Sequence, residues 1–319
     1  MSRRWRGIVL VVVAVTVLLA VVSLASDVGK LGDRLAAFHG WAFGACAALA
    51  VGNYVIRWFR WQIYLDQRSI RVPFGSSVLV YLAGFAFAVT PGKVGELVKA
   101  YLLRSMHGVS AVETAPVVVA ERVTDLVAVL LLAVIGVAFY GVAVKIVIAC
   151  SAIVLFGLTV LAWPRLAHGI LEIATQPRAL HRFREPAVRL YDGIAALTRP
   201  GALIIATAIG CVAWMCECMG FWLVLHGFGA DVPWGLATLI YAVTTVAGAL
   251  SFLPGGLGVT EGAMTLLLVE RGVDNDTAVA ASIVTRLATL WLAVALGVVA
   301  LALCRRRGGV AAPPPDTAA

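Results

Sequence analysis

The chain has 319 residues, of which 61% are hydrophobic and only 13% charged, with a formal net charge of +8. That charged fraction is about half the usual share of a soluble domain, which excludes a soluble globular fold and places the chain in a bilayer. No nucleic-acid recognition motif and no ATP-binding motif accompanies the positive charge, so nucleic acid is not an expected partner and membrane lipid is.

A hydrocarbon core of roughly 30 Å needs about 20 apolar residues per helix. Runs of this kind fall at 8–26, 40–56, 112–139, 142–163, 201–225 and 277–303, and about six spanning helices are expected. The first run exceeds the 7–15 apolar residues of a signal peptide and reads as a retained anchor. Two further apolar regions, 74–104 and 233–271, are interrupted by "TPGKVGE" and "LPGGLGVTE". One piece of each is too short to span, and irregular backbone at membrane depth survives only inside protein or beside a watery cavity. Re-entrant hairpins are therefore favoured over two extra crossings.

The resulting fold class is an all-α polytopic membrane protein with two broken or re-entrant helix pairs. Its divisions are an anchor and outer loop (1–39), a first half with its return helix (40–163), a basic loop (164–200), a second half (201–303) and a disordered tail (304–319). Lys and Arg concentrate in cytoplasmic segments. Arg3, Arg4 and Arg6, the arginines of 164–200, and Arg305, Arg306 and Arg307 put both termini inside a plasma (inner) membrane. The basic loop is expected against anionic inner-leaflet lipids.

The six cysteines include no C-x-x-C pair, and His39, His107, His168, His181 and His226 are scattered. No metal and no cofactor are expected.

Aligning Pro91 with Pro254 brings "PGKVGE" onto "PGGLGVTE" and, some thirty residues later, "ERVTDL" onto "TRLATL". The charge-derived topology opens the two breaks from opposite faces. That is the pattern of an inverted-topology repeat, whose discontinuous helices meet near the midplane and form a transporter's binding site. Pro ends the first helix of each pair. Gly92, Gly95, Gly255, Gly256 and Gly258 then allow positive φ and close backbone approach. The next helix starts with unpaired N–H groups and a partial positive charge, which suits phosphate.

Glu96 and Glu261 lie in the first turns of the second arms, where each could stabilise its helix start or face a cavity as a proton or amine acceptor. On helix 112–139, Glu121, Arg122 and Asp125 lie within one turn, either paired inside the bundle or on the pathway. Arg286 has no nearby acid in sequence, so its partner must come from another helix, with Glu96 or Glu261 as candidates. Asn53, Arg57 and Arg60 lie at the inner end of their helix, where arginine can snorkel to the interface as an anchor or contact a headgroup. Glu217, in "CEC", is an intramembrane acid of unassigned role, with proton coupling one option.

Together "NYVIRWFRW", "TPGKVGELVKAYLL", "VVAERVTDL", "LPGGLGVTEGA" and "SIVTRLATLWLAVALG" resemble the flippase-like family that includes the membrane half of lysylphosphatidylglycerol synthase. The resemblance runs from about residue 40 to 303. It places Pro91, Gly92, Gly95, Glu96, Glu121, Arg122, Asp125, Pro254, Gly255, Gly256, Gly258, Glu261 and Arg286 at the family's characteristic positions. The best-known members add a cytoplasmic domain that transfers lysine from charged tRNA to phosphatidylglycerol. That domain is not expected here, nor is aminoacyl transfer.

The expectation is a non-enzymatic lipid flippase for an anionic or phosphate-bearing headgroup, phospholipid or polyprenyl-linked. The alternative is a membrane-embedded enzyme, or a non-transporting subunit partnered with an envelope-biosynthesis protein.

Overall fold

The computed structural model describes residues 28–141 and 143–307. The expected anchor at 8–26 lies outside the described residues, which form helices and connecting turns with no strand.

A short helix α1 (Val28–Ala37) leads into α2 (Trp41–Gln67). The first hairpin comprises α3 (Phe74–Gly84), a 3-10 turn (Phe85–Phe87), a 3-10 stretch (Pro91–Leu97) and α4 (Val98–His107). Helices α5 (Ala111–Tyr140) and α6 (Val144–Ala162) follow. The segment expected as a basic loop is itself built of helices, chiefly α7 (Pro164–Thr175) and α8 (Arg184–Leu197). The second half contains α9 (Pro200–Gly227), α10 (Trp234–Leu250), a 3-10 turn (Pro254–Gly256) and α11 (Val259–Val269). It ends with α12 (Asn275–Arg286) and α13 (Leu292–Arg306), joined without a break by a π turn at Leu287–Trp291.

Five of these helices are long and apolar enough to cross a bilayer: α2, α5, α6, α9 and the continuous α12–α13. They correspond to the five expected spans that fall within the described residues. Their outward faces carry exposed Phe139, Ile148, Phe156, Ile204 and Val212, side chains that only lipid would cover without cost. At 1.5 Å per residue, Phe74–Phe87 rises about 20 Å and α11 about 16 Å. One arm of each hairpin thus stops short of the roughly 30 Å core, and α3 folds back on α4 as α10 does on α11.

The packing between halves is reciprocal. Helix α3 of the first hairpin packs on α13, the last helix of the second half, while α10 of the second hairpin packs on α5, the last helix of the first repeat. The two leading helices, α2 and α9, lie along one another. Each half covers the other's hairpin, as two copies related by an axis in the membrane plane would. Small residues make the contact between leading helices possible: a Cβ on Gly220 would lie 2.9 Å from the Cys46 sulfur, and one on Gly227 would lie 2.6 Å from the Ala42 Cβ. In the membrane, where no hydrophobic effect draws helices together, such close approach supplies the attraction.

Two apolar cores result. One joins α5, α6, α9, α10, α11 and α12; the other joins α2, α3, α4, α5 and α13. The polar groups of the chain gather between them.

Helix α2 continues to Gln67 instead of ending near 56. Arg57 and Arg60 depress the local hydropathy, but both are buried in protein, with 4% and 0% of their surface exposed. The expectation that they snorkel to a lipid interface is therefore replaced by pairing inside the bundle.

Candidate functional site

The middles of α2, α5, α9 and α12–α13 and the two Pro-Gly breaks enclose a cavity of about 290 Å³. The breaks touch. A Cβ on Gly92 would meet the Phe252 ring at 3.4 Å, and one on Gly255 would meet the Val89 backbone at 3.5 Å. Both glycines have positive φ, +58° and +62°, so a side chain at either position would strain the backbone as well as crowd the opposite half.

Six of the expected binding residues line the cavity: Gly92, Glu96, Arg122, Gly255, Gly256 and Arg286, joined by the supporting residues Arg57 and Asp125. Pro91, Gly95, Pro254, Gly258, Glu261, Asn53 and Glu121 stand behind this lining. Asn53 donates from its side-chain amide to the Ala213 carbonyl at 2.8 Å, tying α2 to α9.

In both halves the arginine of the return helix reaches the glutamate of its hairpin. Arg122 Nη1 lies 3.3 Å from Glu96, and Arg286 Nε donates to Glu261 at 2.6 Å. The second pair is the tighter clamp. Arg286 also donates to the Gly255 carbonyl at 2.6 Å, and Glu261 accepts the Gly258 N–H at 2.7 Å. At the first break, the Gly95 N–H goes to the Thr90 hydroxyl at 2.9 Å. Each break thus already satisfies one of its N–H groups from within the protein, and the arginines are left as the main donors toward the cavity.

The first half adds a network that the second lacks. Asp125 accepts from Arg57 at 2.7 Å and Arg60 at 2.5 Å, with Arg122 Nη2 3.1 Å away. Glu96 lies 3.4 Å from Lys99, whose ammonium donates to Glu121 at 2.6 Å. Four cations thus face three carboxylates. Donors also remain without hydrogen bonds: Arg57 Nε and Arg122 Nε are buried and unsatisfied. Unmet donors of this kind are costly unless a ligand or water supplies acceptors, and both residues line the cavity. Arg122, with 21% of its side chain exposed, is the most accessible of the network's arginines.

The remaining walls are aromatic and hydroxylic. Arg57 lies over the Trp214 ring at 5.6 Å and the Phe85 ring at 5.9 Å. Tyr54 donates to the Thr289 carbonyl at 2.6 Å, within the π turn, an irregularity often found at functional sites. Glu217 accepts from the Tyr241 hydroxyl at 2.5 Å, and both line the cavity. Among the described residues no group of three or more His, Cys, Asp or Glu side chains is arranged to hold a metal.

Sequence reasoning omitted Lys99, Tyr54, Trp214 and Tyr241 and left Glu217 unassigned, with proton coupling one option. Lys99 carried a readable signal, since it follows Glu96 by one helical turn inside an apolar run. The aromatic residues carried none, because their importance arises only where helices distant in sequence converge.

The chain matches a family profile described as the lysylphosphatidylglycerol synthase TM region over residues 8–297. The chain belongs to that family. Two relatives, both named UPF0104 membrane protein, come from Methanothermobacter thermautotrophicus. One is 25% identical over 278 residues, covering 81% of this chain and 82% of its own. Another is 26% identical over 327 residues, covering 92% of each. Within the lysylphosphatidylglycerol synthase TM-region family this chain is a multi-pass membrane protein, with its polar residues gathered at the junction of two inverted halves.

Proposed function

We propose that this protein moves a lipid with an anionic, phosphate-bearing headgroup between the leaflets of the plasma membrane, the headgroup passing through the central cavity while its chains stay in lipid. The observation that carries this reading is the pair of cavity-lining arginines, Arg57 and Arg122, each with a buried Nε donor that no protein acceptor meets. Guanidinium forks match phosphate oxygens in geometry and charge, and an arginine held at membrane depth with donors to spare marks a pathway more readily than a packing contact. The cavity's volume of about 290 Å³ sits at the small end of ligand sites, which suits a headgroup.

Transport would proceed by rocking one half against the other. The reciprocal packing of the two hairpins supports this reading, because each half is a unit that carries part of the other's wall.

The test is reconstitution into vesicles containing fluorescent phosphatidylglycerol, phosphatidylcholine, a polyprenyl phosphate or uncharged diacylglycerol. Inner-leaflet probe that becomes accessible to a membrane-impermeant quencher is scored over time. Faster exchange of one or more phosphate-bearing probes, with diacylglycerol at the rate of protein-free vesicles, is the expected result. No acceleration of any phosphate-bearing probe by folded protein would overturn the reading.

A further inference from the structure

We propose that Glu217 is a proton-binding site coupled to anion loading, so that one proton enters the cavity with each singly charged headgroup. This rests on the reading of the cavity as a headgroup site and adds a second cargo to it.

The network built on Asp125, Glu96 and Glu121 holds Arg57, Arg60, Lys99 and Arg122, four cations against three carboxylates. Arg286 and Glu261 neutralise one another. The described polar centre therefore carries one excess positive charge before Glu217 is counted. Ionised, Glu217 balances that charge across the cavity. An anion arriving at the arginines would then leave the low-dielectric interior with an uncompensated negative charge, a costly state. Protonation of Glu217 removes that cost. The centre is neutral in two states: carboxylate with no headgroup, or carboxylic acid with one. The proton comes from water on the side where the headgroup enters and returns to water where it leaves.

The surroundings of Glu217 fit a group that changes charge. It is 7% exposed, on the cavity wall. Its neighbours include Tyr241 on α10, which donates to it at 2.5 Å; Tyr54 and Cys46 on α2; and Cys216 and Cys218 beside it on α9. Arg57, Arg122, Asp125, Glu96 and Arg286 complete the charged lining of the cavity. A tyrosine hydroxyl can donate to the carboxylate and accept from the carboxylic acid, so Tyr241 can serve both states without moving to a new partner.

The experiment uses the full chain purified in detergent and dihexanoyl phosphatidylglycerol, whose single negative charge is constant between about pH 5 and 9. Calorimetric titration in two buffers of different ionisation enthalpy counts protons taken up per lipid bound. The wild type is expected to take up about one proton over the range in which its Kd rises about tenfold per pH unit. Glu217→Gln is expected to bind with no uptake and a flat pH profile. If Glu217→Gln does not fold, Glu217→Asp, which keeps an acid in a displaced position, must shift the pH at which uptake is half-maximal. Wild-type binding without proton uptake, unchanged uptake in Glu217→Gln, an unmoved midpoint in Glu217→Asp, or no binding at all would overturn the proposal. Uptake without leaflet exchange in vesicles would sink transport and leave the coupling standing; exchange without uptake would do the reverse.

Discussion

Arg286 and Glu261 meet at 2.6 Å, and between them they also hold the Gly255 carbonyl and the Gly258 N–H. One ion pair therefore fixes both sides of the second Pro-Gly break. Glu261→Ala would remove a helix cap and leave a mostly buried guanidinium without its counter-charge, a change that typically costs about 3–5 kcal/mol. The expected result is a clear fall in the thermal midpoint of detergent-purified protein. Glu261→Gln, which can still accept the Gly258 N–H, should lose less.

Asp125 is the shared acceptor of the first half. Asp125→Asn should be the most damaging single change in the network, since it strands Arg57 and Arg60, both almost wholly buried. Arg122→Ala should be milder because its side chain is 21% exposed. Thermal unfolding of the two variants checks the order; a smaller loss for Asp125→Asn than for Arg122→Ala would show that the network's energy lies elsewhere.

The hairpin is sterically closed at Gly95, where a Cβ would fall 2.6 Å from the Phe87 Cβ and 2.7 Å from the Thr90 side chain, whereas Gly262 has open space around it. Gly95→Ala is expected to destabilise by about 1–3 kcal/mol, the usual cost of overpacking. Gly262→Ala should be neutral or slightly stabilising, as expected for a helical position. Yields of monodisperse protein and thermal midpoints distinguish the two.

The breaks and their arginines were legible in sequence because a Pro-Gly pair and a lone charge stand out against a long apolar run. The partner of Arg286 was narrowed to two glutamates by the repeat itself, and the structure selects Glu261. Other features could not be read. The extension of α2 to Gln67 was hidden because hydropathy treats Arg57 and Arg60 as exposed, although Asp125, 65 to 68 residues away, buries them. For Lys99, held between Glu96 and Glu121 and 4.9 Å from the Trp61 ring, only the one-turn spacing from Glu96 was legible, because Glu121 and Trp61 come from other helices. The helical build of 164–200 was masked by its charge, which pairs locally, as in Arg184 with Glu172 at 3.0 Å.

Asp274 caps α12 by accepting the Thr277 N–H at 3.2 Å and also pairs with Arg34. The Thr277 backbone N–H is the main reason that its carboxyl sits below the ordinary aspartate range, with Arg34 adding to it. A depressed native pKa contributes stability that is fully present above the unfolded pKa, about 3.9, and is lost as pH falls through the native value. Asp274→Ala should therefore lower the thermal midpoint at pH 7, by an amount at the low end of the about 0.5–2 kcal/mol range for caps, since the pair is exposed. The difference from wild type should shrink as pH drops below 4. A difference that persists undiminished in acid would contradict the assignment.

In the proposed transport, the cavity arginines carry the headgroup. The most direct measurement is the leaflet-exchange rate of fluorescent phosphatidylglycerol in vesicles holding wild type, Arg122→Ala, or Arg189→Ala as a control on the exposed face of α8. Exchange at the wild-type rate for Arg189→Ala and at least about tenfold slower for Arg122→Ala, about the 1.4 kcal/mol of one lost charge-assisted contact, is the predicted result. Equal rates for all three, with Arg122→Ala folded and fully incorporated, would contradict it.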